Sequence, residues 1–197
     1  RGLLPGNTWS KMMLMKGMVP ALIASRKIED AVEAYSLAGI GKDDIVVSDK
    51  LRQINLAMEK GKFVATNIVD YACRANLVDV VVDATGVPDA GAKIAMDAIK
   101  NGNHIVMLNI EADVTVGSIL NKMARDAGLV YTGTAGDEPG VLKEIYDFAD
   151  AIGFEIVALG KGKNNPIDFA ATPDTVRGTA LEKGLKPRNY KTMVLGI

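Results

Sequence analysis

The sequence predicts an α/β protein with a doubly wound parallel sheet, on three observations. Short apolar, β-branched segments alternate with amphipathic stretches of helical length. The links between them are short and rich in Gly, Asn and Asp. One segment, Val78-Asp79-Val80-Val81-Val82-Asp83-Ala84, is a nearly continuous apolar run of the kind that parallel sheets cover on both faces.

Each element has its own signal. Val19 to Ser25 is a short apolar strand, and Ile28 to Ala38 is an amphipathic helix stopped by Gly39. Ile45 to Ser48 is a second strand. Leu51 to Lys60 sets Ile54, Leu56 and Met58 among charges and leads into Phe63 to Thr66, so this stretch inserts additional pieces between the main strands. Cys73 falls on a helix with Tyr71 and Ala72, where packing is its expected role. Val78 to Ala84 reads as the clearest buried strand, bounded by Thr85-Gly86. Pro88 to Asn101 is a helix with Ala90, Ile94, Ala95, Ala98 and Ile99 on one side, closed by Asn101-Gly102. Strand His104 to Asn109, helix Val116 to Asp126, strand Leu129 to Thr132, helix Gly140 to Ile152 and a last strand Phe154 to Gly160 complete the alternation. His104, the single histidine, opens its strand at the edge away from catalysis and is expected to be structural. Met12, Met13, Met15 and Met18 read as the buried end of a helix on the sheet.

Composition removes several classes of function. Twenty-three basic against 24 acidic residues give a net charge of -1, so no global basic field gathers nucleic acid, and 5% aromatic content leaves little stacking surface. The apolar runs are too short to cross a bilayer. A single cysteine excludes an intramolecular disulfide and a thiolate pair for zinc, which fits a reducing, cytoplasmic setting.

Ligands of open α/β sheets bind beyond the carboxyl ends of the strands, so the site residues are sought there. Ser25 and Arg26 stand where an NAD enzyme places an acid against the ribose; a hydroxyl and a guanidinium there suit a 2′-phosphate and predict NADP. Alternatively, Arg26 and Lys27 merely begin a solvated helix. Ala84-Thr85-Gly86, after Asp83, lets backbone approach a cofactor, or is an ordinary tight turn. Asn109 to Asp113 is expected as a loop whose carboxamide and two carboxylates, Glu111 foremost, orient a substrate hydroxyl or hold a divalent ion; Asp113 could instead cap the next helix. Asp137 and Glu138 sit in a glycine-rich stretch able to close over a ligand or cap a helix. Lys161, Lys163, Asn164 and Asn165 form a donor cluster suited to the oxygens of a phosphorylated or polyol-like substrate, or a solvated basic turn.

A dinucleotide fold of the Rossmann type needs a strand, a Gly-x-Gly-x-x-Gly turn and a helix ahead of Val19. The preceding residues do not contain that fingerprint, so the first strand and glycine loop are expected to be missing. Ser10 to Lys16 reads as the tail of the missing helix. The expected organisation is an incomplete NAD(P)-binding domain over residues 1–160 and the start of a substrate or oligomerisation region over 161–197.

Taken together, Gly17 to Arg26, Asp83-Ala84-Thr85-Gly86, Leu108 to Asp113, Gly136 to Gly140 and Gly160 to Pro166 resemble bacterial homoserine-dehydrogenase-like oxidoreductases, nearest the deoxyxylulose-phosphate-reductoisomerase-like branch. The resemblance implies an NAD(P)-binding Rossmann domain, a further C-terminal domain and a homo-oligomer. For that branch it implies NADPH-dependent conversion of deoxyxylulose phosphate to methylerythritol phosphate in isoprenoid precursor synthesis. Under that activity Glu111, Asp137 and Glu138 are candidates for polarising the carbonyl or holding a metal. Lys161, Lys163, Asn164 and Asn165 are candidates for substrate oxygens and phosphate. A homoserine-type dehydrogenase, a reductase of another sugar-like carbonyl and a non-catalytic nucleotide sensor are the competing readings.

Overall fold

A computed structural model describes residues 12–13, 15–134, 140–160, 168–184, 187 and 190–191. The chain divides into two compact units, Leu4–Asp137 and one that takes in Glu138–Ile197.

The first unit alternates strands and helices. They are β1 (Leu22–Ala24), α1 (Ile28–Leu37), β2 (Ile45–Val47), α2 (Leu51–Glu59), β3 (Phe63–Thr66), α3 (Asp70–Arg74), β4 (Val80–Asp83), α4 (Pro88–Lys100), β5 (His104–Met107), α5 (Ile110–Asp126) and β6 (Tyr131–Gly133). All pairings are parallel, in two three-stranded sheets of order β1-β3-β2 and β4-β5-β6. The 45–66 stretch supplies β2 and β3 to the sheet that holds β1, with β3 between β1 and β2. Among the described residues, β1 pairs with β3 alone and β4 with β5 alone. Parallel strands alternating with helices in this way make a Rossmann-like α/β fold.

The strand alternation of β3 shows how the layers form. Val64, fully buried, packs with Ile54, Ala57 and Met58 of α2, while its neighbour Ala65 packs with Ala31, Ala34 and Tyr35 of α1. Successive side chains of a strand point to opposite faces, so helices cover both faces of this sheet. Tyr35 ties them together: its hydroxyl lies 2.9 Å from the Pro20 carbonyl and 3.2 Å from that of Val64. In the other sheet Val81, Ile105 and Met107 pack against Ile94, Ala95 and Ala98 of α4 and Ala112 and Leu120 of α5. The short helix α3 contributes Cys73 to that same core and also contacts β1.

Several expectations are corrected. The 78–84 run is not the most buried strand, since Val80 is 46% exposed on a strand paired along one edge only; β3, with neighbours on both sides, is better covered. Residues 109–113 are not a loop. Helix α5 begins at Ile110, because the buried Asn109 side chain accepts a hydrogen bond from the Ala112 amide at 3.2 Å and serves as N-cap in place of Asp113. Met12 and Met13 are helical and half-buried, but Met15 and Met18 are exposed, beside a turn with Gly17 at φ +81°. Phe154 to Gly160 carries no strand; Phe154 and Val157 are exposed, and an apolar pattern without a ladder partner does not make one.

The second unit contains α6 (Gly140–Ala151) and α7 (Arg177–Glu182), with a small core of Ala171, Val176, Ala180 and Tyr190. No described helix is long and apolar enough to cross a membrane.

Candidate cofactor site

At the carboxyl end of β1 the Ser25 amide donates to the Thr66 carbonyl at 2.9 Å, so β3 fixes the point where the chain leaves the sheet. Ser25 Oγ then accepts from the Lys27 amide at 3.3 Å and shapes the entry to α1. Arg26 and Lys27 project as exposed cations, and neither forms an ion pair among the described residues.

At the end of β4, residues 84–87 form an exposed turn above two buried polar residues. Asp83, 1% exposed, accepts the Thr85 amide on Oδ1 at 3.0 Å and the Asn109 amide group on Oδ2 at 2.9 Å. Asn109 Nδ2 also lies 3.2 Å from Thr85 Oγ1 and 3.0 Å from the Val87 carbonyl. Gly86 has φ +62°, in the left-handed region where a side chain is strained, so glycine is what lets this turn reverse direction. Helix α4 starts directly after, with Pro88 at its first turn. Sequence reasoning passed over the part Gly91 plays. A Cβ there would lie 2.4 Å from Asn109 Nδ2 and 2.6 Å from Asp83 Oδ2, so only glycine lets α4 lie against the pair. The available signal was a glycine inside an otherwise good helix.

Of the expected site residues, the structure brings Asn109 and Thr85 together. Asn109 is completely buried, with Oδ1 and Nδ2 both engaged inside the protein. Glu111 lies half-buried in the first turn of α5, where its charge complements the helix dipole. Ser25 and Arg26 stand at the end of β1, and no described hydrogen bond or ion pair joins them to Thr85 or Asn109. Asp137, Glu138, Lys161, Lys163, Asn164 and Asn165 lie outside the described residues. Among the described residues no group of three or more His, Cys, Asp or Glu is arranged to hold a metal ion.

Three groups near the second sheet are settled as structural. His104 opens β5 as expected, and its Nδ1 accepts the Val130 amide at 2.9 Å. Tyr131 donates to Asp113 at 2.7 Å; burial, then the Asp113 carboxylate, pushes its hydroxyl well above the usual tyrosine range, so it stays a neutral donor. The Cys73 thiol is pushed up to about 11 by burial first and by the Asp97 and Asp70 carboxylates second, the opposite of an activated nucleophile.

Parallel strands, helices on both faces of a sheet and a fixed glycine turn past β4 define a dinucleotide-binding α/β domain. Residues 17–131, more than half of the chain, match the family model described as homoserine dehydrogenase, NAD binding domain. The chain belongs to that family. Residues 136–196 match the model described as oxidoreductase DRL, catalytic domain, and the two matches fall on either side of the boundary between the compact units, apart from two residues at the start of the second. The protein is therefore an NAD(P)-binding oxidoreductase of the homoserine-dehydrogenase-like type, and its second matched segment is similar to the catalytic domain of oxidoreductase DRL. Neither description names a deoxyxylulose phosphate or isoprenoid specificity. No curated protein gives a significant match to the chain.

Proposed function

We propose that the chain is an NADPH-preferring reductase of a phosphorylated, sugar-like carbonyl compound. The observation that carries the cofactor half is Ser25-Arg26-Lys27 at the end of β1, with two exposed cations that make no ion pair among the described residues. A carboxylate at this point would repel a 2′-phosphate, whereas a guanidinium receives it through paired N–H donors. When bound, the cofactor supplies the hydride. The chain's own part is to bind the 2′-phosphate through Ser25 and Arg26 and to seat the remainder against the turn at Ala84, Thr85 and Gly86.

The substrate half rests on residues 136–196, which match a catalytic domain and include the donor cluster Lys161, Lys163, Asn164 and Asn165. Lysines and carboxamides suit phosphate and hydroxyl oxygens. Glu111, Asp137 and Glu138 are the candidate general acids, any one of which, when protonated, would donate to the carbonyl oxygen as the hydride arrives. The family description favours a homoserine-type substrate as the second reading.

The test is titration of the protein with NADPH and NADH by fluorescence, for the wild type and Arg26→Ala. Loss of a charge-assisted hydrogen-bond pair of about 1.5–3 kcal/mol weakens NADPH roughly ten- to hundredfold and leaves NADH much less affected. Equal losses for both cofactors overturn the 2′-phosphate assignment. Cofactor oxidation with deoxyxylulose phosphate, against cofactor reduction with homoserine, then separates the two substrate classes.

A further inference from the structure

We infer that Asp83 and Asn109 form a buried clamp whose function is to aim the Thr85 hydroxyl proton at the nicotinamide cofactor; this rests on the cofactor reading above. Both residues are at most 1% exposed, while all four residues of the turn they hold, Ala84 to Val87, are exposed. A buried polar pair is rarely a better source of stability than apolar packing of the same volume, so its yield is sought in position.

The direction of each hydrogen bond follows from the donor inventory. Asn109 has two amide protons and one carbonyl oxygen. Its Nδ2 faces the Asp83 carboxylate at 2.9 Å and the Val87 carbonyl at 3.0 Å, neither of which has a proton to give, while Oδ1 faces the Ala112 N–H. Reversing the carboxamide would set an oxygen against two acceptors and a nitrogen against a donor. The orientation is therefore fixed, and Thr85 Oγ1, the longest of the three contacts at 3.2 Å, shares one of the two Nδ2 protons as an acceptor, since an amide nitrogen offers no lone pair to a hydroxyl proton. Thr85 is also anchored by its own amide, which donates to Asp83 Oδ1 at 3.0 Å. With the oxygen held from below, the hydroxyl proton of Thr85 is left to donate outward, on the exposed side of the turn at the carboxyl end of β4. That is the side on which open α/β sheets bind their ligands. Asp83 and Asn109 are positioning residues, acting through Thr85; Thr85 is the group that touches the cofactor.

Gly91 belongs to the same device. The space a Cβ would occupy there is taken by Asn109 Nδ2, Asp83 Oδ2 and the Ala112 Cβ, all within 2.8 Å. Helix α4 is thus pressed against the clamp and closes it from solvent.

The test is a double-mutant cycle in cofactor binding, using NADPH fluorescence on the whole chain. Asn109→Ser keeps a good N-cap for α5 but is too short to span Asp83, Thr85 and Val87. Thr85→Val removes the hydroxyl at an exposed position where folding does not depend on it. Each single change is expected to raise Kd by about three- to tenfold, the range of one hydrogen bond. The double variant is expected to bind no more weakly than the worse single one, because a hydroxyl that is no longer aimed has little left to lose. Ile54→Val, in the separate core beneath β3, is the stability control and leaves Kd unchanged. Losses that multiply in the double variant, or no loss on Thr85→Val, overturn the inference. If the wild type binds neither NADPH nor NADH, the cofactor reading itself falls. Hydrogen exchange then decides the clamp: the Thr85 amide must exchange slowly in the wild type and fast in Asn109→Ser, and equal rates overturn it as well.

Discussion

Gly91 shows how far a single hydrogen atom can decide packing. In the middle of a helix glycine costs about 1 kcal/mol relative to alanine, so Gly91→Ala judged by propensity alone should stabilise α4. The structure reverses that sign. The added methyl would meet Asn109 Nδ2 at 2.4 Å and the Ala112 Cβ at 2.8 Å, and neither belongs to a side chain with room to move. Overpacking of this kind costs about 1–3 kcal/mol, which outweighs the propensity gain. Gly91→Ala is therefore expected to lower the urea midpoint, and a raised midpoint would show that α4 can move away from the clamp without loss. The sequence displays this glycine only as an oddity within an amphipathic helix. What makes it necessary is a contact with residues 8 positions before it and 18 after it, which no local pattern encodes.

Elements were legible where their signal is local. The 63–66 strand, the 88–100 helix with its buried Ile94, Ala95, Ala98 and Ile99, and the 104–107 strand follow directly from periodicity and from Gly and Pro punctuation. The first turn of α5 was hidden because Asn109, Glu111 and Asp113 look like a polar loop until Asn109 is seen to cap it. Phe154 to Gly160 erred the other way, since alternating apolar residues predict a strand only if a neighbour supplies hydrogen bonds. The short helix α3 was read as packing from Cys73, and its chemistry yields a pH prediction. The thiol is 1% exposed and lies 3.7 Å from the Ile94 carbonyl. Its folded pKa of about 11 is above the unfolded value, so the folded state holds the proton longer. This contribution to stability is complete below the unfolded pKa of about 9 and is lost as pH rises toward 11. Alkylation of Cys73 by iodoacetamide at neutral pH should then follow opening of α3 and speed up in urea. Rapid modification of the native protein at pH 7 would mean that α3 does not bury the thiol in solution.

On the scale of the whole molecule, the division at 137/138 separates a match to a cofactor-binding family from a match to a catalytic domain. The proposed function assigns the 2′-phosphate to Arg26 in one unit and substrate phosphate to Lys163 in the other, so the two cations serve different ligands. Lys163→Ala is expected to raise KM for a phosphorylated carbonyl substrate about tenfold or more while leaving the NADPH Kd unchanged, the mirror image of Arg26→Ala. Two side chains that act on separate ligands have independent effects on the transition state, so their costs in kcat/KM should add to within about 0.5 kcal/mol in the double variant. The measurement is kcat/KM at subsaturating NADPH and substrate for the wild type, both single variants and the double. Additive losses follow if each unit handles its own ligand. A Lys163→Ala variant that weakens NADPH would instead assign that lysine to the cofactor, and the separation of cofactor and substrate binding between the two units would no longer hold.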